Sequence, residues 1–302
     1  MKQIILDPEK RRSFAAADLR YDMDDDLIDE ATIPRSRYTR LPGKGFFYPD
    51  SLNAERAEER AREAIENKEA IVIADTDADG LACAAMIRAR YDAALDSRIV
   101  EASIAAQLAE ASGDPTDAVS EHSDTLEQAD YTDAFEPTAT QVESTVGLIP
   151  AGPYSLDTAL ERVDRYGDEG IDLYVCDLCP DEFSWVEAPL QSLVNECASV
   201  RWFDHHQWSD ETMAAVRALG IDLVVGESDE ECTADVTLRS LPSITDDRFV
   251  QLAEVTRDHD LWIKEDPRSD DLADFAYWAD SDEYTAIVGE YGADLPAIIQ
   301  SY

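Results

Sequence analysis

Four short stretches of the chain carry side chains able to do chemistry. The run AIVIAD ends on Asp75, and Asp77 and Asp79 follow at alternate positions before Gly80. The run IDLYVCD ends on Asp177. SVRWFD ends on Asp204, with His205 and His206 directly after it. The fourth stretch is Asp258-His259-Asp260. The chain has four histidines, and all but His122 lie in these stretches. Carboxylates grouped with imidazoles bind divalent cations and move protons. Taken singly, each stretch also has a plainer reading. An aspartate at a strand end often caps the next helix, a His-His pair is often structural, and DTDADG could be a calcium loop. The calcium loop is disfavoured because its closing glutamate is due at the position of Met86, and because a strand precedes it.

These residues need elements that bring them together. AIVIAD, TVGLI, IDLYVCD, SVRWFD and IDLVVG read as buried strands. Helices are expected over 52–67, over LACAAMIRARYDAAL after the first strand, and near 155–166, 184–197, 210–218 and 231–240. Residues 246–300 read as mostly helical. This alternation predicts an α/β fold: an open, mostly parallel sheet with helices on both faces and a helical C-terminal region. Ligands of such sheets bind outside the carboxyl ends of the strands. Three strands therefore deliver Asp75, Asp177 and Asp204-His205-His206 to one edge, and Gly80 lets the chain turn into the following helix. The expected organisation is an N-terminal extension (1–50), a catalytic α/β domain (51–262) with an acidic insertion or loop at 109–145, and a helical region (263–302).

In order, IVIADTDADG, LYVCDLCP, RWFDHHQW and RDHDLW resemble the successive motifs of the DHH phosphoesterase family. The resemblance spans about 70–262 and is greatest to archaeal RecJ-like exonucleases. It implies metal-dependent phosphodiester hydrolysis by a two-metal mechanism, with Mn²⁺ or Mg²⁺ as the ions. Carried over, Asp75 and Asp77 match first-motif ligands, and Asp177 matches the carboxylate that bridges both ions. His205 matches the metal-binding histidine, and His206 the partner facing phosphate. Asp204 orients the pair from behind. Asp258 best matches the last ligand, with Asp260 as its rival. Family members carry a further C-terminal domain with a glycine-rich clamp, whereas this sequence has no Gly-Gly pair.

The chain has 67 acids against 25 bases, a net charge of −42, and five lysines among its bases. Apolar residues make up 44% of it, enough for a core. Acid-rich, lysine-poor composition resembles that of halophilic archaea that accumulate salt. At about 1 M salt the Debye length is roughly 3 Å, so surface carboxylates scarcely repel one another. The acidity therefore does not exclude nucleic acid as a partner. Residues 31–49 contain no acid and carry Arg35, Arg37, Arg40 and Lys44 among Tyr38, Phe46, Phe47 and Tyr48, which suits a single-stranded backbone and its bases. Trp208 is a second candidate for base stacking. Five cysteines, odd in number and in apolar contexts, fit a reducing cytoplasm. Cys176 and Cys179 form a CxxC around Asp177, and they read better as buried apolar groups than as a redox or zinc pair. No apolar run approaches membrane-span length. The expected function is a single-strand-specific exonuclease of DNA repair or replication, acting with other replication or repair proteins. The alternatives are a phosphoesterase for oligonucleotides of a few residues or small phosphoesters, and a non-catalytic scaffold.

Overall fold

The computed structural model describes residues 35–37, 47–111 and 144–301. The chain divides into two units, 1–60 and 61–302. In the first, β1 (Arg35–Arg37) pairs antiparallel with β2 (Phe47–Pro49), Ser36 opposite Tyr48. Arg35 and Arg37 thus lie on a strand, while Arg40 and Lys44 fall outside the described residues. Helix α1 (Asp50–Ile65) leads into the second unit.

The second unit is built on five parallel strands, β3 (Ala70–Ala74), β4 (Val146–Pro150), β5 (Asp172–Cys176), β6 (Ser199–Asp204) and β7 (Asp222–Val225). Their spatial order is β4-β3-β5-β6-β7. The chain goes from β3 outward to β4, then back past β3 to β5. A right-handed crossover puts its helix on opposite faces for opposite directions of travel. Accordingly α2 (Ala78–Ala111) covers one face, and α3 (Leu156–Tyr166), α4 (Phe183–Glu196) and α5 (Asp210–Ala218) cover the other. The strands are buried on both sides. Val72, Ala74, Tyr174, Cys176 and Phe203 pack with α2, and Ile71, Ile73, Leu173, Val175 and Trp202 pack with α3 to α5. Each large apolar side chain so buried contributes about 1.5–3 kcal/mol, which offsets the cost of burying acidic groups at the strand ends.

The α2 face is completed by α6 (Thr233–Ser240), α7 (Asp247–Asp260), α8 (Ser269–Trp278) and α9 (Ser281–Tyr291), with α10 (Leu295–Ser301) last. The α/β expectation, including the helical C-terminal region, is met. The helix after β3 runs further than LACAAMIRARYDAAL and reaches into the stretch expected to be a loop. The stretch SRIVEASIAAQLAEA is rich in good helix formers, and the absence of Gly or Pro leaves nothing to stop it. The rest of the acidic segment, 112–143, is outside the described residues. No described helix is long and apolar enough to cross a membrane.

Candidate metal centre

The reversal of strand order falls between β3 and β5, where a crevice opens beyond the carboxyl ends. Asp75 follows β3 and Asp177 follows β5, so this crevice collects the first two motifs. Register brings Ala74 opposite Cys176 and Cys176 opposite Phe203, which aligns the three strand ends.

Asp177 has φ 60°, the left-handed region that aspartate tolerates better than most residues. Its Oδ1 accepts a hydrogen bond from Thr233 Oγ1 at 2.8 Å and lies 3.7 Å from His205 Nε2 and 3.8 Å from His206 Nδ1. His205 Nε2 also lies 3.3 Å from Asp260 Oδ2 and 4.0 Å from Asp79 Oδ2. Two sets of side chains could each hold an ion, Asp177 with His205 and His206, and Asp79 with His205 and Asp260. Within each set the ligand atoms are within 4.8 Å of one another. His205 belongs to both.

Asp204 stands behind the pair, fully buried. Its Oδ1 accepts from the His205 amide at 2.9 Å and faces His206 Nδ1 at 2.7 Å, while its Oδ2 accepts from Trp208 Nε1 at 2.6 Å. These contacts hold the His205 backbone and the His206 ring. They also make Trp208 an anchor, since the indole is tied to Asp204 and meets Trp202 edge to face at 5.3 Å.

The first-motif loop differs from expectation. Asp77 Oδ1 accepts from the amides of Asp79 and Gly80 at 3.0 and 3.1 Å and caps α2. Asp75 is half-buried and bonded to the Thr76 amide. Neither belongs to the two tight sets, although both adjoin them. Asp79, not expected as a ligand, is brought in. It is buried at the start of α2, and its two oxygens accept from the Thr233 and Ala234 amides at 2.6 and 2.8 Å. The amino end of α6 thus points at the centre. The alternate spacing of Asp79 after Asp75 and Asp77 was the available signal. Nothing in the sequence marked Thr233.

Gly80 also serves differently from expectation. A Cβ there would lie 2.5 Å from the carbonyl oxygen of Asp75, so glycine is required by the close approach of α2 to the strand end.

In the last motif it is the rival, Asp260, that lies beside His205. Asp258 Oδ1 accepts from the amides of Glu265 and Asp266 at 2.8 and 3.1 Å and organises the loop after α7. It is not brought to His205. Asp260, two residues on, is. In that loop Trp262 and Lys264 follow with φ 56° and 59°, and the Ile263 and Lys264 amides donate to the Asp258 carbonyl. His259 turns outward to Asp270.

Burial, then the charges of Asp260 and Asp77, push the Asp79 carboxyl well above its ordinary value. Burial, then Asp79, Asp77 and Asp204, do the same to Asp177. Burial raises Asp260 and Asp75 as well. The hydrogen bond to Asp204 raises His206. Among the described residues, Asp260 Oδ2 and His205 Nδ1 are buried without a hydrogen-bond partner. Crowded carboxylates, an oxygen lacking a donor and a shared imidazole are a donor set suited to a hard or borderline divalent cation. Around it, burial pushes the Cys179 thiol up to about 12, which disfavours a thiolate role for the CxxC pair.

Beside Asp177 and His206 lies a cleft of about 550 Å³, lined by Pro153, Leu178, Cys179, Asp181, Gln207 and Thr212 among others, with no lysine or arginine among the described residues of its wall. Comparisons of the chain with protein-family models, curated proteins and solved structures returned no match.

Proposed function

We propose that this protein is a metal-dependent phosphoesterase of the DHH type whose centre holds two Mn²⁺ or Mg²⁺ ions. The observation that carries the reading is the convergence on His205 of Asp177 and His206 on one side and Asp79 and Asp260 on the other. Bound there, two divalent ions supply a nucleophilic water and neutralise charge developing on the phosphoryl group. The chain's own contribution is positional. Asp204 fixes the His206 ring through Nδ1, leaving Nε2 for a phosphate oxygen. The amides of Thr233 and Ala234 fix Asp79. Asp75 and Asp77 adjoin the centre and would complete the set of carboxylates around bound ions.

The four motifs favour an exonuclease on single-stranded nucleic acid, with Arg35, Arg37, Arg40 and Lys44 as strand contacts and replication or repair proteins as partners. The cleft wall without cations favours a second reading, short oligonucleotides of a few residues, because a long polyanion gains nothing from that wall. Five free cysteines accord with a reducing cytoplasm.

The test is hydrolysis by the Mn²⁺-loaded protein in about 2 M KCl, where surface repulsion is screened. Labelled single-stranded DNA, single-stranded RNA and a dinucleotide are offered in parallel. Release from the strands supports the exonuclease, and release from the dinucleotide alone supports the second reading. Release from none contradicts both and leaves a scaffold. Asp177→Ala should abolish all activity.

A further inference from the structure

The turn after α7 holds an aromatic ring in solvent beside the centre. Trp208, the sequence candidate for stacking a base, is committed to Asp204 and Trp202. Trp262 is 78% exposed. It follows Asp260 by two residues, so the two Cα atoms lie within about 8 Å of each other. Asp260 Oδ2 is itself 3.3 Å from His205 Nε2. Water solvates an indole poorly, yet the turn presents this one instead of burying it. Asp258 sets the turn. Its carboxylate accepts from the Glu265 and Asp266 amides, and its carbonyl from those of Ile263 and Lys264. Trp262 and Lys264 take φ 56° and 59°, a region disfavoured for bulky side chains. Burial of the indole does nothing to offset that cost.

A cation accompanies the ring. Lys264 Nζ lies 4.7 Å from the indole centroid, meets His259 Nδ1 at 2.9 Å and pairs with Asp270. The His259 ring is inclined by 27° to the indole, but with centroids 6.3 Å apart it does not cover it. Lys264 is one of five lysines in a chain of net charge −42. The two flanks of the centre therefore differ. The cleft beside Asp177 and His206 has no lysine or arginine among the described residues of its wall. The Asp260 flank offers an open indole with an ammonium against it. Bases stack on such a ring, and phosphates pair with such a cation.

We infer that Trp262 and Lys264 form a nucleotide subsite, where a base of a single-stranded substrate stacks on the indole and its phosphate pairs with the ammonium. The inference rests on the phosphoesterase reading, with the scissile phosphate at the metal centre. It gives Asp258 the task of shaping the subsite, and it runs the strand along the α7 flank.

Fluorescence anisotropy of the full chain with Mn²⁺ tests it over a range of KCl concentrations. The probes are a labelled oligothymidylate whose phosphorothioate links resist cleavage, and an abasic strand of the same length and linkage. Trp262→Ala should weaken oligothymidylate binding about 5- to 150-fold and leave the abasic strand unchanged. Trp262→Phe should keep most of the affinity. Lys264→Ala should weaken both strands and lower the salt slope by about one. Unfolding midpoints of the Trp262 variants should stay near wild type, since the exposed indole packs against little. Equal oligothymidylate binding by Trp262→Ala and wild type overturns the inference, as does an equal loss on both strands. If wild type binds neither strand, the single-strand reading falls together with the subsite.

Discussion

The loop after β3 and the end of α7 each carry two aspartates two residues apart, Asp77 with Asp79 and Asp258 with Asp260. In both, the first aspartate is engaged by amides that follow it in the chain, those of residues 79 and 80 or of 265 and 266. In both, the second reaches His205. They differ in how that second carboxylate is held. Asp79 is clamped by two amides of α6, whereas Asp260 Oδ2 has no donor among the described residues. One carboxylate is fixed by the fold, and in the proposed centre the other would adjust to a ligand. Spacing alone does not say which aspartate lies beside His205; the placement of the surrounding loops and helices does.

The strongest consequence falls on the late pair. Asp260→Asn should weaken Mn²⁺ binding by about 10–100-fold or more while the metal-free protein unfolds at nearly the wild-type temperature. Asp258→Asn should do the reverse, removing about 1–3 kcal/mol of stability through the loop amides with little change in Mn²⁺ affinity. Calorimetry and thermal unfolding of both variants decide it. If Asp258→Asn carries the affinity loss, the assignment of Asp260 is wrong.

The alternating strands made the fold legible in the sequence. Apolar β-branched runs that end in acids left little choice but a parallel sheet with its chemistry at one edge. Asp177, His205 and Asp204 were legible for the same reason, since a strand end fixes where its last residue lies. Asp79 and Asp260 were harder. Their neighbours Asp77 and Asp258 are the same residue type at the same spacing, and amides from loops and helices not yet placed sort them. Thr233 was illegible, because a threonine at a helix start reads as a cap. Only the packing of α6 against α2 brings it to the centre.

A second test uses pH. Asp79 and Asp177 have carboxyls raised by burial and by one another. A raised carboxyl favours the folded state fully below its unfolded value near pH 4, and that contribution is lost as pH rises through the folded value. The metal-free protein should therefore lose stability as pH climbs from about 4 toward neutrality, as far as these two groups control it. Added Mn²⁺ should restore more at neutral pH than at about pH 4. Asp177→Asn should flatten the dependence and raise the metal-free midpoint at neutral pH. Midpoints taken across pH with and without Mn²⁺ check both signs.

A more modest change is due in the clamped half. Gly80→Ala places a methyl group against the Asp75 carbonyl and should cost about 1–3 kcal/mol, with a weaker loss of Mn²⁺ affinity as α2 shifts from the strand end. Denaturant unfolding and the same titration measure it. A neutral substitution would mean that α2 is free to move, and that Asp79 is less firmly set than its two amides imply.

Everything proposed for the site turns on His205 holding a cation at the end of the sheet, beside the carboxylate of Asp177. Anomalous diffraction from crystals loaded with Mn²⁺ would locate the ions. Two peaks about 3.5–4 Å apart are predicted, both beside the Asp177 carboxylate and one of them also on His205, with Asp79 and Asp260 close by. A single peak on Asp258, or no peak near His205, would contradict that centre.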